Sequence, residues 1–441
     1  MEYMADISSD TYQILTKHIV DYNSKYIKTR SEPDTYMGEE GVLNIKPDVA
    51  EKLGLKVYID QDYHDSVKLN KEAEKAFSSA EDAIASESKE ALEQEISNTI
   101  LKNVLIYREK SSLAKEKLSR YKKNINKEND ERFNSEVCNE TIAKLLKEGL
   151  DHTNNNLRDT LGIFYNRLQG NDQDKEHITS ENAPFVNYVF NGFIADASPS
   201  EISLFDIDRN NRNGKFSNTG AWKTIVREDL PELLPYLESA VENAGESNYR
   251  TDPLLFLSLM KRESAFNPKA VSSVGAAGLT QIMPHTARDL GLKNVYTPKY
   301  YYTAGDYLKK ERSFKLKAKK MLLKITQKED IQLAKKARKL MLKSIEAGKK
   351  RADLYEKYKK ELINNKKDDR LDSSLAIESG YLYFTKLMKS QKGDISLALA
   401  AYNAGSRRVR ENKGIPPYDE TVSFRNRILQ YYYEYLDRIR K

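Results

Sequence analysis

Residues 262–284 read RESAFNPKAVSSVGAAGLTQIMP and contain one acid, Glu263. The stretch follows YRTDPLLFLSLMKRES, residues 249–264, in which Asp252 is a good helix N-cap and Pro253 suits a first helical turn. Leu254, Leu255, Phe256, Leu257, Leu259 and Met260 make that segment apolar nearly all round, so it predicts a helix buried inside a domain. Its C-terminal end delivers Lys261, Arg262 and Glu263. Small residues and glycines come next, and Gly275 and Gly278 suit special backbone geometry. Two readings of Glu263 stand on spacing alone. It is either a solvated helix-end charge or a carboxyl held at a substrate, where burial would raise its pKa and let it donate a proton.

The rest of the chain narrows the chemistry. Its 441 residues suffice for about two or three domains. With 39% hydrophobic and 32% charged residues, a mainly α protein with long solvated helices is expected. No run of 18 apolar residues is present, so no spanning helix is expected, and the opening MEYMADISSDTYQ has no secretory-signal pattern. The single cysteine, Cys138, excludes an internal disulfide and a cysteine-cluster metal site. His18, His64, His152, His177 and His285 are scattered, with no metal-ligand spacing. FDIDRNNRNGKF, residues 205–216, alternates oxygen side chains from Asp206, but Asn211 and Ser217 fall where a calcium loop needs Gly and Glu. No nucleotide-binding loop or serine-nucleophile elbow occurs. No metal or cofactor is expected.

The organisation reads as a mostly helical N-terminal region, 1–245, and a second region, 246–441, interrupted by a basic helical insertion, 293–371. Within the first region, GVLNIKPDVAEKLGLKVYID (41–60) suggests a small irregular or α+β element, with a Pro-Asp turn, a short helix pattern and the alternating run LKVYID. Residues 66–150 read as long polar helices with Ala83, Ala91, Ile96, Ile100, Val104 and Ile106 near one side. Residues 308–371 carry 19 Lys and 4 Arg against 9 acids, an excess of 14 positive charges, while the remaining chain is net −7. Two or three helices are expected there, with a break near Gly348. Such a segment is either a solvated face or a patch for an acidic polymer or anionic membrane surface; no nucleic-acid motif accompanies it.

Four blocks in order resemble the soluble lytic transglycosylases, lysozyme-like enzymes that cut peptidoglycan. ESAFNPKAVSSVGAAGLTQIMPHTA (263–287) is similar to the family signature; AIESGYLYFTKL (376–387), LALAAYNAG (397–405) and PPYDETVSFRNRIL (416–429) resemble its later blocks. The departures are Thr280 for the usual Met, Ala376 for Asn, Phe384 for Leu and Phe424 for Tyr, together with the long basic insertion. The resemblance implies a lysozyme-like catalytic domain in which Glu263 is the single acid and base. It would cleave the β-1,4 bond between N-acetylmuramic acid and N-acetylglucosamine and leave a 1,6-anhydro end. Tyr402 and Asn403 match the cleft wall opposite the acid, Ser272, Gln281 and Met283 match positions near the sugar sites, and Glu420 matches a cleft hydrogen-bonding acid. No cofactor is implied. Peptidoglycan glycan strands and cell-wall machinery are the implied partners, and the periplasm or cell envelope the implied location. A goose-type hydrolytic lysozyme, or a virion or secretion-machine component with a local wall-degrading domain, are the competing expectations.

Overall fold

The computed structural model describes residues 8–27, 38–86, 93–171, 178–206, 220–244, 251–365 and 367–440. In chain order the helices are α1 (Ser9–Ile27), α2 (Pro47–Lys52), α3 (Gln61–Ala85), α4 (Glu93–Asn124), α5 (Ser135–His152), α6 (Leu157–Leu168), α7 (Ala183–Asp196), α8 (Pro199–Ile202) and α9 (Ala221–Asp229). They continue with α10 (Leu234–Asn243), α11 (Pro253–Ser264), α12 (Pro284–Asp289), α13 (Lys299–Leu322), α14 (Ile331–Asn365), α15 (Ser373–Ser390), α16 (Ile395–Ala404), α17 (Ser406–Glu411) and α18 (Asp419–Arg440). Among the described residues, β structure is limited to isolated bridges such as Glu40 with Ile45 and Ala277 with Ile282. The fold is mainly α, as the composition implied. LKVYID forms no strand: residues 55–60 are irregular, and the alternation instead feeds Leu55 into the interior ahead of Asp60, which caps α3.

The chain forms two compact units that do not follow chain order. One comprises residues 1–26, 135–296 and 362–441; the other comprises 27–134 and 297–361. In the first, α11 is the central helix. Asp252 accepts a hydrogen bond from Leu254 N (2.8 Å), Pro253 starts the helix, and Leu254 to Met260 are completely enclosed. α18 packs along it, with Tyr432 donating to Asp252 Oδ2 (3.0 Å). Tyr432 is thus a packing residue whose hydroxyl finds a partner when buried. α15 and α16 complete this core through Ile377, Phe384, Met388 and Leu399.

The second unit is built on two long antiparallel hairpins, α3–α4 and α13–α14. Their apolar positions recur at three- and four-residue spacing and meet in one core containing Ala80, Ile84, Ile100, Val104, Leu322, Ala334, Ala337 and Met341. Ala83 and Ile96 pack at its edge. Ala91 lies outside the described residues. The basic segment is therefore one helical hairpin whose apolar stripe is buried. α14 runs through Gly348 without a break, because Glu311 of α13 lies against it: a Cβ there would stand 3.2 Å from the Glu311 carboxylate, which accepts from Arg351 Nε at 2.8 Å. Lys309, Lys315, Lys335 and Lys339 remain on exposed surface.

Candidate active site

Glu263 sits in the last turn of α11. The helix stops abruptly because Ala265 and Phe266 adopt left-handed backbone conformations (φ 49° and 62°). Two consecutive non-glycine residues in that region cost free energy, and such strain persists only where the surroundings hold it. Ser264 supplies part of that hold: its hydroxyl bonds back to Met260 O (3.2 Å) and across to Leu279 O (2.8 Å). The next turn, 270–282, is closed by its own side chains. Ser272 Oγ accepts from Ala276 N (3.0 Å), and Gln281 Nε2 donates to Ala270 O (2.9 Å) and Gly278 O (2.8 Å). Gly278 has φ 80°, and a Cβ on it would fall 1.7 Å from Arg370 O, so no other residue fits.

Glu263 is half-buried at this helix end. Burial pushes its pKa up to about 8; neighbouring Arg262 opposes the rise and Glu420 adds to it. A carboxyl in that state is protonated at neutrality and can donate a proton. Tyr402 faces it from α16, and its own pKa is raised well above the usual phenol value by burial and by the Glu263 charge. The Tyr402 hydroxyl donates to Thr280 O (2.7 Å), which ties α16 to the loop after the acid. Three rings hold the Tyr402 side chain: Tyr383 at 5.3 Å, Phe384 at 6.0 Å and Phe424, stacked at 6.3 Å. Arg262 lies 5.9 Å from the Phe424 ring centre.

The structure thus gathers Glu263, Gln281, Tyr402 and Glu420 into one region and gives several of them structural work. Ser272 and Gln281 build the loop. Met283 precedes α12, half-buried. Asn403 Oδ1 accepts from Thr421 Oγ1 (2.7 Å), and Glu420, next to that threonine, is exposed. The departures from the family pattern have packing explanations. Thr280 is 1% exposed, so its side chain is enclosed and out of reach of a ligand. Its hydroxyl donates to Ala376 O (3.0 Å), and it fills the space beside Gly380, where a Cβ would be 2.5 Å from its methyl. Thr280 and Ala376 therefore occupy one adjacent pair of positions, and Phe384 and Phe424 both pack on Tyr402. Sequence reasoning passed over Tyr383, whose ring next to Tyr402 was carried inside the second block, and Arg370. Arg370 is buried, pairs with Asp368 (2.8 Å), and donates to Gly275 O (3.0 Å) and Ile282 O (3.3 Å). The calcium-like stretch beyond Asp206 lies outside the described residues.

The family model of the transglycosylase SLT domain matches residues 240–309 and 352–421. A transglycosylase of Enterobacteria phage PRD1 is 41% identical over 68 residues, 15% of this chain and 26% of that protein. Membrane-bound lytic murein transglycosylase C of Histophilus somni strain 2336 is 44% identical over 72 residues, 15% of this chain and 19% of that protein. The chain thus spans about a quarter or less of the length of these relatives. A lytic transglycosylase Slt structure from Pseudomonas aeruginosa, 14% identical, aligns over 98% of this chain and 73% of its own with a TM-score of 0.28, too low to bear on the fold. The two segments that match the transglycosylase SLT domain model are separated by the inner part of the α13–α14 hairpin.

Proposed function

We propose that this protein is a peptidoglycan lytic transglycosylase with Glu263 as its acid and base. The observation that carries the reading is the Glu263 carboxyl, raised to about 8 by burial at the strained end of α11 and faced by Tyr402. Protonated Glu263 donates to the glycosidic oxygen between N-acetylmuramic acid and N-acetylglucosamine, and the C1–O bond breaks. The resulting carboxylate takes the proton of the muramoyl 6-hydroxyl as that oxygen bonds to C1. The products are a free 4-hydroxyl and a 1,6-anhydro end, with no water consumed. One carboxyl serves both steps, whereas hydrolytic glycosidases ordinarily use a pair. Met283, Asn403 and Glu420 serve as sugar-contact positions around the acid, with Ser272 and Gln281 shaping the loop beside it. The site of action is the cell envelope. No described helix is long and apolar enough to cross a membrane.

The exposed lysines of α13–α14 supply a second contact, to acidic wall polymer. Their excess charge attracts polyanions over about 10 Å at 0.1 M salt and about 3 Å at 1 M.

Three outcomes follow. Digestion of purified sacculi releases muropeptides with 1,6-anhydro ends by mass spectrometry; reducing ends would instead assign a hydrolase and leave Glu420 as the partner acid. The second concerns pH. Glu263 has a folded pKa near 8 against an ordinary 4.5, so between these values the folded state holds a proton that the unfolded state has lost. Stability therefore falls as pH rises through this window, and Glu263→Gln escapes the loss. Thermal unfolding should show Glu263→Gln more stable than the parent at pH 9, with the gap shrinking towards pH 4; a gap independent of pH contradicts the burial account. Third, combined replacement of Lys309, Lys315, Lys335 and Lys339 by Glu weakens sacculus pull-down at low salt severalfold and hardly at high salt. Unchanged low-salt binding removes the role of the hairpin.

A further inference from the structure

The loop beside Glu263 has a counterpart early in the chain. Residues 38–56 read GEEGVLNIKPDVAEKLGLK and residues 275–293 read GAAGLTQIMPHTARDLGLK. The backbones match as well: φ is 91° at both Gly38 and Gly275, 79° and 80° at Gly41 and Gly278, 50° and 46° at Asn44 and Gln281, and 89° and 93° at Gly54 and Gly291. Each loop is gripped by the same device. Arg132 pairs with Asp130 and donates to Gly38 O and Ile45 O (2.8 and 2.9 Å), as Arg370 pairs with Asp368 and donates to Gly275 O and Ile282 O. A Cβ on Gly41 would lie 2.0 Å from Arg132 O, the clash found at Gly278 with Arg370 O.

The order of elements also repeats. After each loop comes a long helical hairpin, then the Asp-x-Arg turn, then an 18-residue helix, α5 or α15. A left-handed pair follows, Asn154 and Asn155 or Lys392 and Gly393, and then a side-chain N-cap, Asn156 or Asp394, opening α6 or α16. SENAPFVN (180–187) then matches DETVSFRN (419–426) at the start of α7 and α18. α1 packs on α7 through Tyr22 and Phe185 (5.1 Å), as α11 packs on α18.

Within each compact unit the two sets meet each other, and in the first unit part of that contact is reciprocal. Asn187 donates to Ile415 O (2.9 Å), and its counterpart Asn426 donates to Ile178 O (2.8 Å). Ser180 donates to Asp419, the residue that matches it in the repeat. Such exchange between matched positions is the signature of an isologous two-fold interface. Two ion pairs at unmatched positions, Arg158 with Asp394 (2.7 Å) and Arg425 with Asp159 (2.6 Å), reinforce it. Between the hairpins, also at unmatched positions, Arg338 of α14 donates to Ala83 O and Ser86 O (3.0 and 3.1 Å), and Arg108 of α4 donates to Leu323 O and Ile325 O.

We infer that residues 9–196 and 253–440 are two copies of one module, paired inside a single chain as two identical subunits would pair, and that the first copy is a catalytically silent partner. The silence rests on Glu263 being the acid; the pairing does not. Phe164 and Tyr165 stand in the first copy where Tyr402 and Asn403 stand in the second. Phe164 stacks on Phe185 (6.0 Å) as Tyr402 stacks on Phe424 (6.3 Å), but Phe164 has no hydroxyl to bond the loop or face an acid, and Tyr165, also packed on Phe185 (5.1 Å), replaces the Asn403 amide. The acids on the described part of α1, Asp10 and Asp21, are exposed. The first copy serves as a fixed half of the interface that holds α16 and α18, the helices bearing Tyr402 and Glu420.

Cys138, the only cysteine in the chain, is fully buried in α5 of the first copy and reports its opening. The test is the rate of Cys138 modification by a thiol reagent in the full-length native protein. Asn426→Ala, a change in the second copy, should accelerate labelling about tenfold, because removing one partner of a buried hydrogen bond shifts the opening equilibrium of the whole pair. Asp419→Asn, a milder change at the interface rim, should accelerate it severalfold, so the test survives if Asn426→Ala does not fold. Lys389→Ala, on the exposed end of α15, serves as the control and should leave the rate at the parental value. If both interface variants melt at lower temperature but label at the parental rate, the copies open independently and the pairing is wrong.

Discussion

The buried pair of Arg370 with Asp368 is the constraint on which the site depends. Asp368 also accepts from Tyr296 N (2.8 Å), and Arg370 holds both Gly275 O and Ile282 O. One guanidinium thus fastens the two ends of the loop after Glu263 to the point where the chain returns from the α13–α14 hairpin. A buried charge pair contributes little net stability by itself, but losing one partner strands the other and costs about 3–5 kcal/mol. The fork therefore specifies geometry. It lets a 24-residue and a 35-residue helix interrupt the segments that match the SLT domain model while the acid and the Tyr402 wall stay in register.

Glu263 then acquires its properties from position. α11 is enclosed along its length, so its last turn arrives in surroundings that disfavour a charged carboxyl. The left-handed pair Ala265 and Phe266 turns the chain away at once, and Ser264 anchors the turn to Leu279 O. Tyr402 is fixed by its bond to Thr280 O and by three rings, so the group facing the acid is as rigid as the acid's own helix. Such preorganisation is what proton transfer requires.

Much of this was legible in the sequence for identifiable reasons. Asp252, Pro253 and the continuous apolar run marked α11 and its burial, and the apolar stripe of residues 96–104 marked a helix of the hairpin core. LKVYID left an irregular and an α+β reading open, because alternation alone cannot distinguish a strand from an irregular segment with one anchored leucine. Gly348 misled because a helical glycine can accommodate a neighbour's carboxylate. In the sequence Thr280 was only a departure from the usual Met, and the fold shows it filling the space left by Gly380. The internal repeat was readable, since GxxG, Ile-x-Pro and LGLK recur at one spacing. It is faint because the described part of the first copy has no counterpart of the acid, and the shared Asp-x-Arg forks are short and lie far from their loops in sequence.

The most direct measurement is cleavage of purified sacculi by Glu263→Gln, with circular dichroism and thermal unfolding confirming the fold. Glutamine keeps the shape of the side chain but can neither give nor take the proton. The account predicts a loss of at least about 100-fold in muropeptide release, the scale of general acid–base catalysis. A folded Glu263→Gln protein that cleaves at the parental rate would contradict it.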